Sequence, residues 1–296
     1  MPFSLSLEPT TSCNLRCPEC PSGLRSFSRP TGMLDSTMFQ SIMDELGPDL
    51  IYLILYFQGE PYLNPSIFDF IETAHRHKVY SAISTNAHYL TPEKSKRTVE
   101  AGLSRLIISI DGTTQETYSS YRIGGSLEKV IEGTKNMVSA RKEAGKGPEI
   151  VFQFLVVKPN EHQMNDVQGL GKELGVDKVL FKSAQVYDYE NGNPLIPSDD
   201  KYARYRQKAD GSWEIKNKML NQCWRMWHSA VITWDGQVVP CCFDKDASHG
   251  MGKVGEQSFR EIWNGEAYNS FRNALLKGRD QIDICTNCTE GTNVWV

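Results

Sequence analysis

Cys13, Cys17 and Cys20 stand within eight residues, Cys13-Asn14-Leu15-Arg16-Cys17-Pro18-Glu19-Cys20, a C-x3-C-x2-C spacing. Three thiolates on one short loop can hold three corners of a four-iron cluster and leave the fourth iron without a protein ligand. Iron–sulfur clusters are usually held by four cysteines, and an open metal position marks catalytic sites rather than structural ones. An incidental trio, or part of a zinc knuckle, is the plainer reading of the same residues. A second set lies far along the chain, Cys223, Cys241, Cys242, Cys285 and Cys288, and residues 21–222 contain no cysteine. Such grouping in a reducing compartment favours metal ligation over disulfides.

Apolar runs and amphipathic stretches alternate up to about residue 182 and supply elements to hold these loops. Strands are expected at Phe3–Glu8, Leu50–Phe57, Tyr80–Ser84, Arg105–Ile110, Ile150–Val157 and Lys178–Lys182. Helices are expected between them at Ser36–Leu46, Ser66–His77, Pro92–Ala101, Leu127–Lys146 and Glu161–Leu174. Thr91-Pro92-Glu93 is a helix start, and Gly102 and Gly175 follow helix ends. Six strands alternating with helices predict a parallel sheet of βαβ units, an α/β partial (β/α)6 TIM-like barrel occupying residues 1–186. Barrel chemistry gathers where strands meet their following loops, and the cysteine triad follows the first strand. Residues 187–222, with turn signals at Asn191–Pro194 and Pro197–Asp200, read as a linker or a loop over the barrel mouth. Residues 223–296 read as a small C-terminal α+β unit. It holds a hairpin, Ser229–Trp234 and Gln237–Cys242, whose Asp235-Gly236 pair suits a type I′ turn, and one helix over Ser258–Leu276. Most of Trp224, Trp227, Trp234, Trp263 and Trp295 are expected to belong to its core.

The 296 residues are 40% hydrophobic and 23% charged, with a net charge of −4. That balance leaves no electrostatic footprint for nucleic acid and no basic run for an anionic membrane. The start lacks a charged n-region and a long apolar h-region, and no stretch approaches the roughly 20 apolar residues of a membrane span. A soluble, cytoplasmic protein is expected. His75, His77, His88, His162, His228 and His249 form no recognisable ligand pair.

The triad resembles the signature loop of the radical S-adenosylmethionine (radical SAM) enzymes, in which the amino and carboxylate groups of SAM chelate the free iron. The likeness continues at successive strand ends. Gly59-Glu60-Pro61 is similar to the family's GGEP motif, with Gln58 in place of its first glycine; it implies that Gly59 and Glu60 receive the amino group of SAM. Ser84-Thr85-Asn86 and Ser109-Ile110-Asp111-Gly112 correspond to regions that contact the ribose and the methionine portion, which implicates Ser84, Asn86, Ser109 and Asp111. Arg122 resembles the arginine that grips the SAM carboxylate, a task a guanidinium performs bidentately, and Gln153 is a candidate for the ribose. Glu19 stands where the family usually has an aromatic residue before its last cysteine. The implied chemistry is the cofactor's own: the reduced cluster donates an electron to SAM, and the resulting 5′-deoxyadenosyl radical abstracts a substrate hydrogen. A flavodoxin- or ferredoxin-type electron donor is implied too.

Cys223, then Gly236 and Cys241 in a C-x12-G-x4-C run, then Cys285-x2-Cys288, resemble the SPASM/twitch domain of the same family. No further cysteine follows Cys288, so the shorter twitch form is expected, with one auxiliary [4Fe–4S] cluster on Cys223, Cys241, Cys285 and Cys288. Four thiolates leave no open iron, so this group is expected to move electrons; a structural zinc site is the alternative. The layout is similar to that of twitch enzymes that oxidise a cyclitol alcohol. It implies oxidation of a small polar substrate, sugar- or cyclitol-like, with the auxiliary cluster as electron acceptor. The barrel starts by residue 4, whereas peptide-modifying relatives often carry an N-terminal recognition domain. Other readings are a peptide or protein maturase, an epimerase with Cys242 as hydrogen-atom donor, and a non-catalytic electron carrier. Asp188 and Glu190 are weak candidates for a catalytic base.

Overall fold

The computed structural model describes residues 1–291, so Trp295 and the end of the expected C-terminal unit lie outside the described residues. Six parallel strands form in the expected places: β1 (Ser4–Leu7), β2 (Tyr52–Ile54), β3 (Tyr80–Thr85), β4 (Arg105–Ser109), β5 (Glu149–Val156) and β6 (Lys178–Ser183). They pair in chain order, β1 with β2 through to β5 with β6. Leu106, Ile108, Phe152 and Phe154 are fully buried, as befits central strands covered on both faces. The helices are α1 (Pro21–Leu24), α2 (Ser36–Leu46), α3 (Ile67–Arg76), α4 (Pro92–Glu100), α5 (Gln115–Tyr121), α6 (Leu127–Ala144) and α7 (Met164–Leu174). Further on come α8 (Arg225–His228), α9 (Phe259–Asn264), α10 (Glu266–Gly278) and α11 (Asp283–Thr286).

Local chemistry explains the boundaries. The Asp35 carboxylate accepts from the N–H groups of Thr37 and Met38 and starts α2. Thr91 caps α4 with Pro92 in its first turn. Gly175, at φ +81°, closes α7 in the left-handed region. Two short helices, α1 and α5, were not visible as periodic runs, because four and seven residues carry too few turns.

The C-terminal part joins the barrel sheet: β9 (Ser229–Ile232) lies parallel to β1, with Ser4 opposite Ser229 and Leu7 opposite Ile232. Strands β10 (Gln237–Val239) and β11 (Gly252–Lys253) continue the sheet to nine strands. Between β6 and β9, Tyr205–Gln207 (β7) and Trp213–Ile215 (β8) make a separate small hairpin. The β9–β10 turn is not type I′, since Gly236 is at φ +86° while Asp235 is absent from the residues with positive φ. Gly236 N–H donates to Thr233 O, and Thr233 N–H donates to Gln237 O. This is a three-residue loop, Trp234-Asp235-Gly236, in which glycine takes the left-handed bulge position.

The helix expected over Ser258–Leu276 is two helices meeting at Gly265, whose extended backbone (φ −72°, ψ 173°) breaks the run. Carbonyls freed there are recovered, Trp263 O by Arg272 and Asn264 O by Asn269. The tryptophans do not form a common core. Trp263 is buried, but Trp224 and Trp227 are 46% and 42% exposed. No helix among the described residues is long and apolar enough to cross a membrane.

Candidate metal centre and cofactor cleft

The loop leaving β1 returns across the mouth of the sheet and brings Cys13, Cys17 and Cys20 to one cleft of about 200 Å³. Gly59, Glu60, Ser84, Asn86, Ser109, Arg122 and Gln153 line the same cleft. Gly59 and Glu60 follow β2, Ser84 and Asn86 stand at the end of β3, Ser109 ends β4 with Arg122 beyond α5, and Gln153 lies within β5; strand ends and the loops beyond them are where a parallel α/β sheet gathers its chemistry. Sequence reasoning therefore found seven of its eight cofactor candidates in one place.

The eighth, Asp111, is fully buried behind the cleft. Its Oδ2 accepts from Arg122 Nε at 2.5 Å and its Oδ1 from the Leu155 N–H at 2.7 Å. Asn160 Nδ2 donates to the Asp111 carbonyl at 3.0 Å. Asp111 thus orients Arg122, whose Nη1 lies 3.8 Å from Cys17 Sγ. The Glu60 carboxylate is likewise engaged by protein donors. Its carboxylate accepts from Thr85 Oγ1 at 2.7 Å, the Asn86 N–H at 2.8 Å and the Tyr62 N–H at 3.2 Å. Glu60 is 1% exposed, and burial pushes its carboxyl above the usual range. The Gly-Glu-Pro carboxylate therefore braces the loop after β3, and that loop in turn holds the triad: Asn86 Nδ2 donates to Asn14 Oδ1 at 2.8 Å and lies 3.9 Å from Cys13 Sγ.

Gly59 is where the cysteine loop and the β2 loop touch. Its φ is +73°, its N–H donates to Ser22 Oγ at 2.9 Å, and a Cβ there would stand 2.2 Å from Thr10 O and 2.8 Å from Ser12 O. Strain and overpacking together put the cost of Gly59→Ala at about 2–4 kcal/mol. A urea titration should show the midpoint fall with the slope unchanged, and SAM affinity should fall with it.

Burial pushes Cys13 up to about 11 and raises Cys17, against the pull of the Arg122 guanidinium. Ligation to a metal requires thiolates and releases their protons. Three soft sulfur donors in one cleft, with Arg122 beside Cys17 and no fourth cysteine among the described residues lining it, fit an iron–sulfur group with one iron left open.

Cys223, Cys241, Cys285 and Cys288 line a second, apolar pocket with Met226, Phe243, Phe271, Leu275 and Arg279. The β9–β10 hairpin brings Cys223, before α8, near Cys241, just past β10, while the turn through α11 supplies the other two. Four sulfurs around an apolar space fit a fully ligated cluster. Arg279 was missed in the sequence because a lone arginine at a helix end reads as surface; it is 1% exposed, with Nη2 3.1 Å from Cys288 Sγ.

The weaker candidates lie elsewhere. Asp188 and Glu190 line a different, open cleft of about 540 Å³ with Gln185, Asp283 and Asn287, not the one holding the triad. Cys242 is a half-buried thiol, raised by burial and drawn back by Arg225. His228 stacks on Phe3 at 5.1 Å, and His249 pairs with Asp283 at 2.7 Å. Glu19, in the place of an aromatic, accepts from the Tyr187 N–H at 2.9 Å and ties the segment after β6 to the triad.

The profile of the radical SAM superfamily matches residues 7–167, and that of the SPASM iron–sulfur cluster-binding domain matches residues 223–289. The chain is 28% identical to the tungsten-containing aldehyde ferredoxin oxidoreductase cofactor-modifying protein of Pyrococcus furiosus, covering 96% of this chain and 86% of that one. It is 25% identical to the S-adenosyl-L-methionine-dependent 2-deoxy-scyllo-inosamine dehydrogenase of Niallia circulans, over 96% and 91%. Among solved structures, BtrN in complex with AdoMet and 2-DOIA superposes with a TM-score of 0.63 at 21% identity, covering 100% of this chain and 95% of that one.

Proposed function

Because this chain belongs to the radical SAM superfamily and is an enzyme of that class with a SPASM-type iron–sulfur domain, we propose that it oxidises a small polar substrate of the sugar or cyclitol kind. The observation that carries the reading is the convergence of Cys13, Cys17 and Cys20 with seven of the candidate cofactor residues on one cleft. When bound, the first cluster supplies the electron that splits SAM into methionine and a 5′-deoxyadenosyl radical, and the second supplies an acceptor for the electron the substrate gives up.

The protein's part is placement. Cys13, Cys17 and Cys20 would ligate the first cluster, and Cys223, Cys241, Cys285 and Cys288 the second. Arg122, fixed by Asp111, offers its remaining N–H donors to the SAM carboxylate. The backbone around Gly59 receives the amino group, with Glu60 holding that loop in register. Ser84, Asn86, Ser109 and Gln153 supply short polar contacts for the sugar portion. With both groups in place, an alcohol carbon would give up one hydrogen atom, one proton and one electron and would become a carbonyl. A flavodoxin- or ferredoxin-type protein supplies the initiating electron. Substrate choice is supported by the dehydrogenase relative, matched over 91% of its length.

Anaerobic reconstitution tests this. About eight irons per chain, deoxyadenosine formed with dithionite, and faster formation with an aminocyclitol or sugar alcohol are expected. Acceleration only by a peptide would replace the substrate class with a peptide side chain. About four irons and one zinc would remove the electron-acceptor role.

A further inference from the structure

Arg279 follows α10 directly, and it heads the fully buried side chains by volume. A guanidinium is charged at every accessible pH, and burying a charge is costly unless it is paired. No carboxylate among the described residues makes an ion pair with Arg279. Its Nη1 donates to Gln222 O at 2.8 Å, its Nη2 to Glu290 O at 2.7 Å, and Nη2 also reaches Cys288 Sγ at 3.1 Å. The carbonyls carry only partial charge. The remaining counter-ion must be the sulfur set itself, which becomes anionic when its thiols are ligated.

We propose that Arg279 is a positioning residue that raises the reduction potential of the cluster held by Cys223, Cys241, Cys285 and Cys288, and so biases that cluster toward accepting an electron. The inference rests on the proposal that these four cysteines hold an iron–sulfur group. Reduction adds one negative charge next to a fixed buried cation that donates to a ligand sulfur. Hydrogen bonds to sulfur and net charge are among the terms that set cluster potential.

The test uses the full chain with Cys13, Cys17 and Cys20 replaced by alanine, so that only the C-terminal cluster loads. Iron is counted first, and the midpoint potential is then read by an EPR-monitored redox titration for Arg279 itself, R279K and R279Q. The R279Q midpoint is expected to fall by at least tenfold in the reduction equilibrium, about 59 mV for one electron. R279K, which keeps the charge, is expected to lie between the two. Equal midpoints in all three proteins overturn the inference while leaving the cluster assignment standing. Loss of iron from both variants with an unchanged circular dichroism spectrum also overturns it, because Arg279 would then only hold the loops. Failure of the Arg279 protein itself to load iron sinks the underlying assignment instead.

Discussion

Cys17→Ala is expected to abolish deoxyadenosine formation and to lower the iron content by about four per chain, with the C-terminal cluster retained. Cys17 is the middle member of the triad, 6% exposed, and the one facing Arg122. Its loss leaves two thiols on the cleft wall, one short of what three iron corners require. The side chain is small and its one side-chain hydrogen bond is the long contact from Arg122 at 3.8 Å, so the fold should survive with little loss. Iron and sulfide analysis alongside chromatography of the reaction checks both halves. Retention of all the iron with SAM cleavage intact would detach Cys17 from the site.

Asp111→Ala is expected to destabilise the fold by about 3–5 kcal/mol, the range for removing one partner of a buried ion pair. The Arg122 side chain is 16% exposed and Asp111 is fully buried, so the orphaned guanidinium has little water to turn to. The Leu155 N–H on β5 also loses its acceptor. Arg122→Met added to Asp111→Ala should recover part of the loss, and a double-mutant cycle in urea measures how much. SAM affinity supplies the second readout. It should fall in Asp111→Ala even where the protein stays folded, since Arg122 would no longer be held in one orientation. Additive effects of the two substitutions would show that the pair is not coupled.

The barrel was legible because its information is local. Apolar runs of strand length alternate with amphipathic stretches, and caps such as Asp35 and Thr91 mark the joins. The cleft was legible for the same reason: most candidates sit at a strand end or in the loop after it, and strand ends converge. What escaped notice depended on partners distant in the chain. Nothing near Ser229 announces that it will lie beside Ser4, more than 200 positions away. The hairpin turn was misjudged because an Asp-Gly pair suits two loop lengths, and the ladder from Thr233 to Gln237 selects the longer. Gly265 inside a periodic run looked tolerable for a helix until Arg272 and Asn269 were seen taking the broken turn's carbonyls. Asp111 and Glu60 carried the right residue type in the right motif, yet a motif does not reveal which way a carboxylate turns. Both brace neighbouring groups.

The β9–β10 hairpin touches both cysteine regions. Its tip is fastened beside the first: Trp234 N–H donates to Glu8 Oε2, Trp234 Nε1 donates to Pro30 O, and its ring covers Gly32. Its open end is flanked by Cys223 and Cys241. Its β9 strand runs along β1, four residues against four, while β10 pairs with β9 and β11. The cysteine-bearing segment that follows β1 and those that flank the hairpin are therefore fastened through one shared ladder.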